Sequence, residues 1–357
     1  MVSVVRSFLV CGSFCLFGLF SMAETPPRFE IADLGEGAAR AINDKGEVVG
    51  SHDFQPADSA GFIWDATRGR REIPRFPESA THSIQTPVGI DREGTVLISI
   101  NNTPPTQEGP RSMRLRNFDL ASVLWTEEKG FFDPPSLPVG GTTFRKIFDT
   151  GELLAGDLTG LTLLMAGTET VDLRDAHPTL TSLLDLNRRG EWIGRVGQWG
   201  QISNSKRVQS LIESHFKQGW HGWKISDQGD LLVRFPHASN PSNTSYAILK
   251  VDGELVELES PSSADSTPRE FNNHLIVVGD ILPDTFSEWL RERNLDIEQS
   301  WFQKLTAKLD RETFRLAALW IEGKYYDLNS VIRSDSDWDL LEMAEDINET
   351  GQIVGYG

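Results

Sequence analysis

One pattern of apolar and polar positions recurs along the chain: an aliphatic residue, three polar or turn-forming residues, a glycine, then a short aliphatic run. Ile42-Asn43-Asp44-Lys45-Gly46 leads into Val48-Val49-Gly50, and Ile90-Asp91-Arg92-Glu93-Gly94 into Val96-Leu97-Ile98. Ile147 to Gly151 precedes Leu153-Leu154, Leu186 to Gly190 precedes Trp192-Ile193-Gly194, and Ile225 to Gly229 precedes Leu231-Leu232-Val233. Ile347 to Gly351 with Ile353-Val354-Gly355 is the last copy, and Phe271-Asn272-Asn273-His274 before Ile276 lacks the glycine. Each phrase predicts a β-hairpin whose glycine takes a left-handed conformation that a side chain resists. Asn43, Asp91, Asn187, Ser226 and Asn348 share the first turn position, where a short polar side chain can bond the backbone two residues on.

A second phrase follows several hairpins and predicts a third strand: Gly61-Phe62-Ile63-Trp64, Ser122-Val123-Leu124-Trp125 and Ala317-Ala318-Leu319-Trp320, with weaker copies at Leu161 to Leu164 and Tyr246 to Leu249. A fourth strand is predicted at Arg71 to Ile73, Gly130 to Asp133, Thr170 to Leu173, Glu254 to Leu258 and Tyr325 to Leu328. Four strands per unit is the content of a propeller blade. Successive turn glycines at 46, 94, 151, 190 and 229 lie 48, 57, 39 and 39 residues apart, close to the roughly 40–50 residues of known blade repeats. A β-solenoid uses shorter, stricter coils, and an immunoglobulin-like array needs about 100 residues per unit. The expected fold is therefore an all-β propeller of six to seven blades.

Ala41 to Gly50 with Phe62 to Trp64, and again Ala344 to Gly355, resemble the HAF-repeat family of extracellular repeat proteins. The resemblance runs through nearly all of the chain after residue 28. It implies an extracytoplasmic β-propeller-like scaffold, and its short structural motifs carry no catalytic residue to transfer.

Phe29 to Leu34 reads as a fourth strand without its first three, and Ala344 to Tyr356 as a first hairpin without the rest. The two ends can share one blade and close a ring, giving six units between Ala41 and Asn329 plus a seventh of three strands. The stretch from Pro283 to Arg315 breaks the β pattern and predicts a helical insertion. Thr285 with Glu288 and Asp296 with Gln299 have capping-box spacing, and Ile297, Trp301, Leu305 and Leu309 form an apolar stripe. The expected organisation is a leader over 1–23, a propeller over 28–357, and the insertion over 283–315 within it.

The leader rests on Arg6, the 13-residue apolar run from Phe8 to Phe20, and Ser21-Met22-Ala23 as a cleavage site. That run is short for a membrane span, which needs about 20 residues. It predicts export to the periplasm or the exterior. Cys11 and Cys15 both lie inside the leader, which leaves the processed protein without disulfides or a cysteine-based metal site. With 34 basic against 52 acidic residues, the net charge of −18 repels nucleic acid and anionic membranes. Short basic groups at Arg68, Arg70 and Arg71, at Arg111, Arg114 and Arg116, and at Arg188 and Arg189 read as solvated loops.

Histidines at 52, 82, 177, 215, 221, 237 and 274 show no metal-binding helical spacing, and no nucleophile-elbow motif accompanies them. No catalytic, cofactor-binding or metal-ligating residue is assigned. His215 and His221 beside Trp220 and Trp223 form the one cluster that could stack on a sugar, although tryptophans also recur in the strands of the repeat. Turn acids at Asp44, Asp91, Asp149, Asp227 and Glu349 predict an acidic rim with diffuse attraction for cations, too sparse in ligands for a calcium loop. Sequons stand at Asn101, Asn243 and Asn348, the last also a turn residue. The function expected is a non-enzymatic exported scaffold binding a protein or a glycan; the rivals are an extracytoplasmic carbohydrate-active enzyme with a funnel site, and a purely structural surface protein.

Overall fold

The computed structural model describes residues 6–12, 29–52, 61–76, 84–101, 120–134, 143–156, 162–166, 169–197, 200–216, 219–237, 244–261, 265–282, 315–331 and 340–357. Except for its last residue, Arg315, the helical insertion expected over 283–315 lies outside the described residues, as do His82 and the Arg111 group.

The strands fall into seven antiparallel sheets, named I to VII here in the order in which the chain completes them. Sheet I holds β3 (Ala38–Ile42), β4 (Val48–Ser51), β5 (Gly61–Asp65) and β6 (Gly69–Glu72). Sheet II holds β7 (Ile84–Ile90), β8 (Val96–Asn101), β9 (Leu120–Thr126) and β10 (Gly130–Phe132). Sheet III holds β11 (Thr143–Ile147), β12 (Leu153–Gly156), β13 (Thr162–Ala166) and β14 (Glu169–Asp172), after which comes the short helix α1 (Leu173–Ala176). Sheet IV has three strands, β15 (Leu180–Leu186), β16 (Trp192–Val196) and β17 (Gly200–Ser203), followed by α2 (Lys206–His215). Sheet V holds β18 (His221–Ile225), β19 (Leu231–Pro236), β20 (Thr244–Leu249) and β21 (Leu255–Glu257). Sheet VI holds β22 (Asp265–Phe271), β23 (Ile276–Leu282), β24 (Leu316–Ile321) and β25 (Lys324–Asp327), then the short helix α3 (Leu328–Val331). Sheet VII joins the chain ends in the order β2-β1-β27-β26, with β1 at Arg6–Gly12, β2 at Phe29–Glu36, β26 at Met343–Ile347 and β27 at Gln352–Tyr356.

The apolar core is divided into clusters that each lie between two successive sheets. Val49 and Ile63 of sheet I pack with Ile90, Val96 and Trp125 of sheet II; Leu232 and Ile248 of sheet V pack with Val277 and Trp320 of sheet VI. The last cluster sets Ile276 and Leu319 of sheet VI against Phe29, Ala344 and Ile353 of sheet VII, and another sets Leu9, Leu34 and Val354 of sheet VII against Ala39 and Phe62 of sheet I. Sheet-on-sheet contact that returns to its start is a propeller arrangement. Because both faces of each sheet are covered, whole strands are buried: β4 completely, and β24 from Leu316 to Trp320. This is why the inner strands read as unbroken aliphatic runs rather than as alternation.

Two departures from the expected repeat concern sheets IV and VII. In sheet IV the fourth strand is replaced by α2, whose Val208, Leu211 and Ile212 sit at helical spacing and are buried against Ile193, Leu231 and Val233. In sheet VII the expected three strands become four. Residues 6–12, assigned by their apolar run to the leader, pair on one side with β2 and on the other with β27, and Leu9 is 2% exposed.

Candidate functional site

The first strand of each sheet (β3, β7, β11, β15, β18, β22 and β26) faces a common axial cavity of about 570 Å³. All seven carry a register shift at the same place, two residues before the end of the strand, at Arg40, Val88, Arg145, Leu184, Trp223, Arg269 and Glu345. Such a bulge bends the strand and re-aims the next residue. The residues that follow are Ala41, Gly89, Lys146, Asp185, Lys224, Glu270 and Asp346, and all of them line the cavity.

Five of these seven residues are ionisable and form a chain across neighbouring sheets. Lys146 binds Asp185, and Lys224 binds Glu270. Asp185 also accepts the Ile225 N–H at 3.0 Å, and Asp346 accepts the Ile42 N–H at 2.9 Å, so each carboxylate holds the next sheet by its backbone. Burial opposes ionisation of Asp185, but Lys146 and Lys224 beside it outweigh that and hold its pKa below the ordinary value. Lys224 is likewise buried, yet Glu270 and Asp185 raise its pKa above the usual lysine value. Asp346 has the opposite fate: burial, with the Glu270 charge adding to it, pushes its carboxyl up to about 7. At the bulge position itself, Glu345 joins Arg40 and Arg269, each at 3.2 Å.

The hairpin turns close one end of this channel. In each turn the fourth residue donates its N–H to the carbonyl of the first, from Gly46 to Asn43 at 3.0 Å through Gly351 to Asn348 at 3.0 Å. In five of the turns, those opened by Asn43, Asp91, Asn187, Ser226 and Asn272, the first-position side chain accepts from the backbone two and four residues on, as Asn43 Oδ1 does from Lys45 and Glu47. Where that residue is asparagine, its amide also donates to the carbonyl of the next turn: Asn43 to Asp91 at 2.9 Å, Asn187 to Ser226 at 2.8 Å, Asn272 to Asn348 and Asn348 to Asn43 at 3.0 Å. The sixth hairpin lacks glycine, and Leu275 takes its place at φ 59°.

Second-position turn residues meet on the axis. Arg188 reaches Asp149 through Nε at 2.7 Å, Asp44 through Nη2, and Asp227 at 3.7 Å. Asp44 accepts the Glu349 N–H at 3.0 Å, Glu349 that of Asn273 at 3.1 Å, and Asp227 that of Arg188 at 2.8 Å. Burial raises the Asp149 and Glu349 pKa values; it also disfavours charge on Arg188, but Asp149 and Asp44 hold that guanidinium firmly protonated. The expected acidic rim is therefore corrected. Three of its acids, Asp44, Asp149 and Asp227, are drawn around Arg188, which is not a solvated loop residue, Glu349 holds the Asn273 N–H, and Asp91 is a buried first-position turn acceptor. Arg68 and Arg71 are likewise engaged, by Asp65 and Glu127.

A smaller cleft of about 280 Å³ opens between sheets IV, V and VI, lined by Arg195, Gln201, His221, Trp223, Arg234 and Tyr246 among others. His221, Arg234 and Tyr246 lie directly opposite one another on β18, β19 and β20. Gln201 fixes the floor by donating to the Gly222 carbonyl at 2.5 Å and accepting its N–H at 2.8 Å. Trp223 and Tyr246 meet edge to face at 5.6 Å. Burial, with Arg234 and Arg195 nearby, lowers the His221 pKa. The four-residue histidine–tryptophan cluster read from sequence thus divides. Trp220 stacks on Phe235 at 4.6 Å within the core, and His215 bonds Ser214 at the end of α2; His221 and Trp223 line the cleft.

Among the described residues no group of three or more histidine, cysteine, aspartate or glutamate side chains is placed to hold a metal ion, and no helix is long and apolar enough to cross a membrane. No family model and no curated protein matches the chain.

Proposed function

We propose that this chain is an exported, non-enzymatic binding scaffold of the HAF-repeat type, a seven-bladed propeller that takes a protein or glycan ligand. The observation that carries this reading is the state of the axial carboxylates. Asp185, Glu270, Glu345, Asp44, Asp149 and Asp227 are each paired with a cation. Acids held this way keep neighbouring sheets in register and leave little free capacity for proton transfer. Export draws on Arg6 and the apolar run behind it.

One observation favours the rival, a carbohydrate-active enzyme: a carboxyl at Asp346, pushed up to about 7 beside Glu270, has the protonation of a general acid at neutral pH. Glycan and envelope-protein arrays, run for both retention and turnover, separate the two. The scaffold reading expects retention without product and unchanged retention by Asp346→Asn. Glycan cleavage that disappears in Asp346→Asn would establish the enzyme instead, and silence on both arrays sinks the scaffold.

A further inference from the structure

We infer that the cleft between sheets IV, V and VI is a subsite for an acidic glycan, its arginines meeting a sugar carboxylate while Trp223 and Tyr246 supply apolar surface beside them. The inference rests on the binding-scaffold reading and names a ligand class for it.

Charge distribution makes the case. The chain carries a net charge of −18, and most arginines described above are spent on carboxylates within the fold. Arg195 and Arg234 are exposed, and neither makes an ion pair among the described residues. None of the described residues lining the cleft is acidic. Two guanidiniums gathered on one concave surface whose described lining holds no carboxylate repel one another until an anion arrives. A planar carboxylate is the natural partner of a guanidinium because two parallel N–H donors match its two oxygens.

The rest of the cleft selects within the class of anions. Trp223 and Tyr246 present aromatic area that a small inorganic ion cannot use, whereas the apolar face of a sugar ring can cover it. The base is rigid, since the two Gln201–Gly222 hydrogen bonds tie β17 to β18, and the arginines stand on strands rather than on loops.

Oligomers of a uronic acid and their carboxyl-reduced, neutral counterparts, titrated calorimetrically into the purified chain, test the assignment. Uronate oligomers are expected to bind at least tenfold more tightly than the neutral ones, and Arg195→Gln with Arg234→Gln to lose tenfold or more while circular dichroism is unchanged. Equal affinity for neutral and acidic oligomers would overturn it, as would unchanged uronate binding by the double variant. Competition by inorganic phosphate at equal concentration would also overturn it, by showing that charge alone is recognised. A neutral glycan or a protein that binds wild type and double variant alike would remove the acidic-glycan subsite while leaving the scaffold standing.

Discussion

The axial channel has two unlike arcs. Over sheets III to VII the residue behind each bulge is charged, as Lys146, Asp185, Lys224, Glu270 and Asp346; over sheets I and II it is Ala41 and Gly89. The backbone is the same in both, with a bulge in every first strand. What differs is how neighbouring sheets are held. The charged arc uses ion pairs and carboxylate-to-backbone bonds across the channel, while the small-residue arc uses close packing. A Cβ on Gly89 would come within 2.8 Å of the Ile147 Cγ2, so no side chain fits there unless Ile147 moves. A shared backbone geometry can thus be secured by two different chemistries, and they should fail differently.

Removal of the central cation tests this most severely. Lys224→Met leaves Glu270 and Asp346 facing each other without a counter-charge and should cost roughly 2–4 kcal/mol in urea unfolding. Replacing Glu270 with leucine in the same chain should restore most of that loss, because a buried pair exchanged for apolar packing is close to neutral. Ala41→Ser, at the equivalent place in the other arc, should change stability by less than about 1 kcal/mol.

Arg188 reaches across the two arcs, since it contacts Asp44 of sheet I as well as Asp149 of sheet III and Asp227 of sheet V. Arg188→Ala should cost about 1–3 kcal/mol, less than a fully buried partner would, because the side chain is 28% exposed. The three acids it leaves behind repel one another, so the loss should shrink as salt is added. A salt-independent loss would mean that Arg188 acts by packing alone.

The smallest effect is a slope with pH. Asp346 has a folded pKa near 7 against an ordinary value of 3.8. Between those values the unfolded chain ionises first and the folded state holds the extra proton. Stability from this group is therefore present at the acid end and is lost as pH rises through the window. Asp149 and Glu349, raised by burial, act in the same sense. Melting temperatures from pH 4 to 8 should fall less steeply in Asp346→Asn than in the wild type, and parallel curves would contradict the assignment.

Much of this architecture was legible in the repeat. The turn glycines sit at positive φ, the short polar residues cap their own turns, and the aliphatic runs are the buried strands. These are local requirements, satisfied within five or six residues, and so they leave a local trace. The bulges left none. Their signal, a charged residue just before the last apolar one at Lys146, Asp185, Lys224, Glu270 and Asp346, is visible only when the hairpins are laid side by side, because each charge answers to a partner in another sheet. The amides of Asn43 and Asn348 were placed correctly as turn formers, but their second bond reaches 48 and 305 residues away. Arg188 and the cleft arginines were obscured for the same reason: nothing nearby in sequence tells an arginine with three carboxylates from one with none.

Strand β1 has a consequence for how the molecule is made. If the chain is exported as proposed, the residues that fill the slot between β27 and β2 are those a peptidase would remove, and folding and processing would then draw on a single segment. If the sheet forms first, cleavage must pull a paired strand with Leu9 buried in the core out of its place. If cleavage comes first, β27 and β2 face each other across a gap roughly 10 Å wide, two bare edges spaced for one incoming strand. For an exported chain, the order of those two events would decide whether the ring is sealed by residues 6–12 or is delivered with a vacancy.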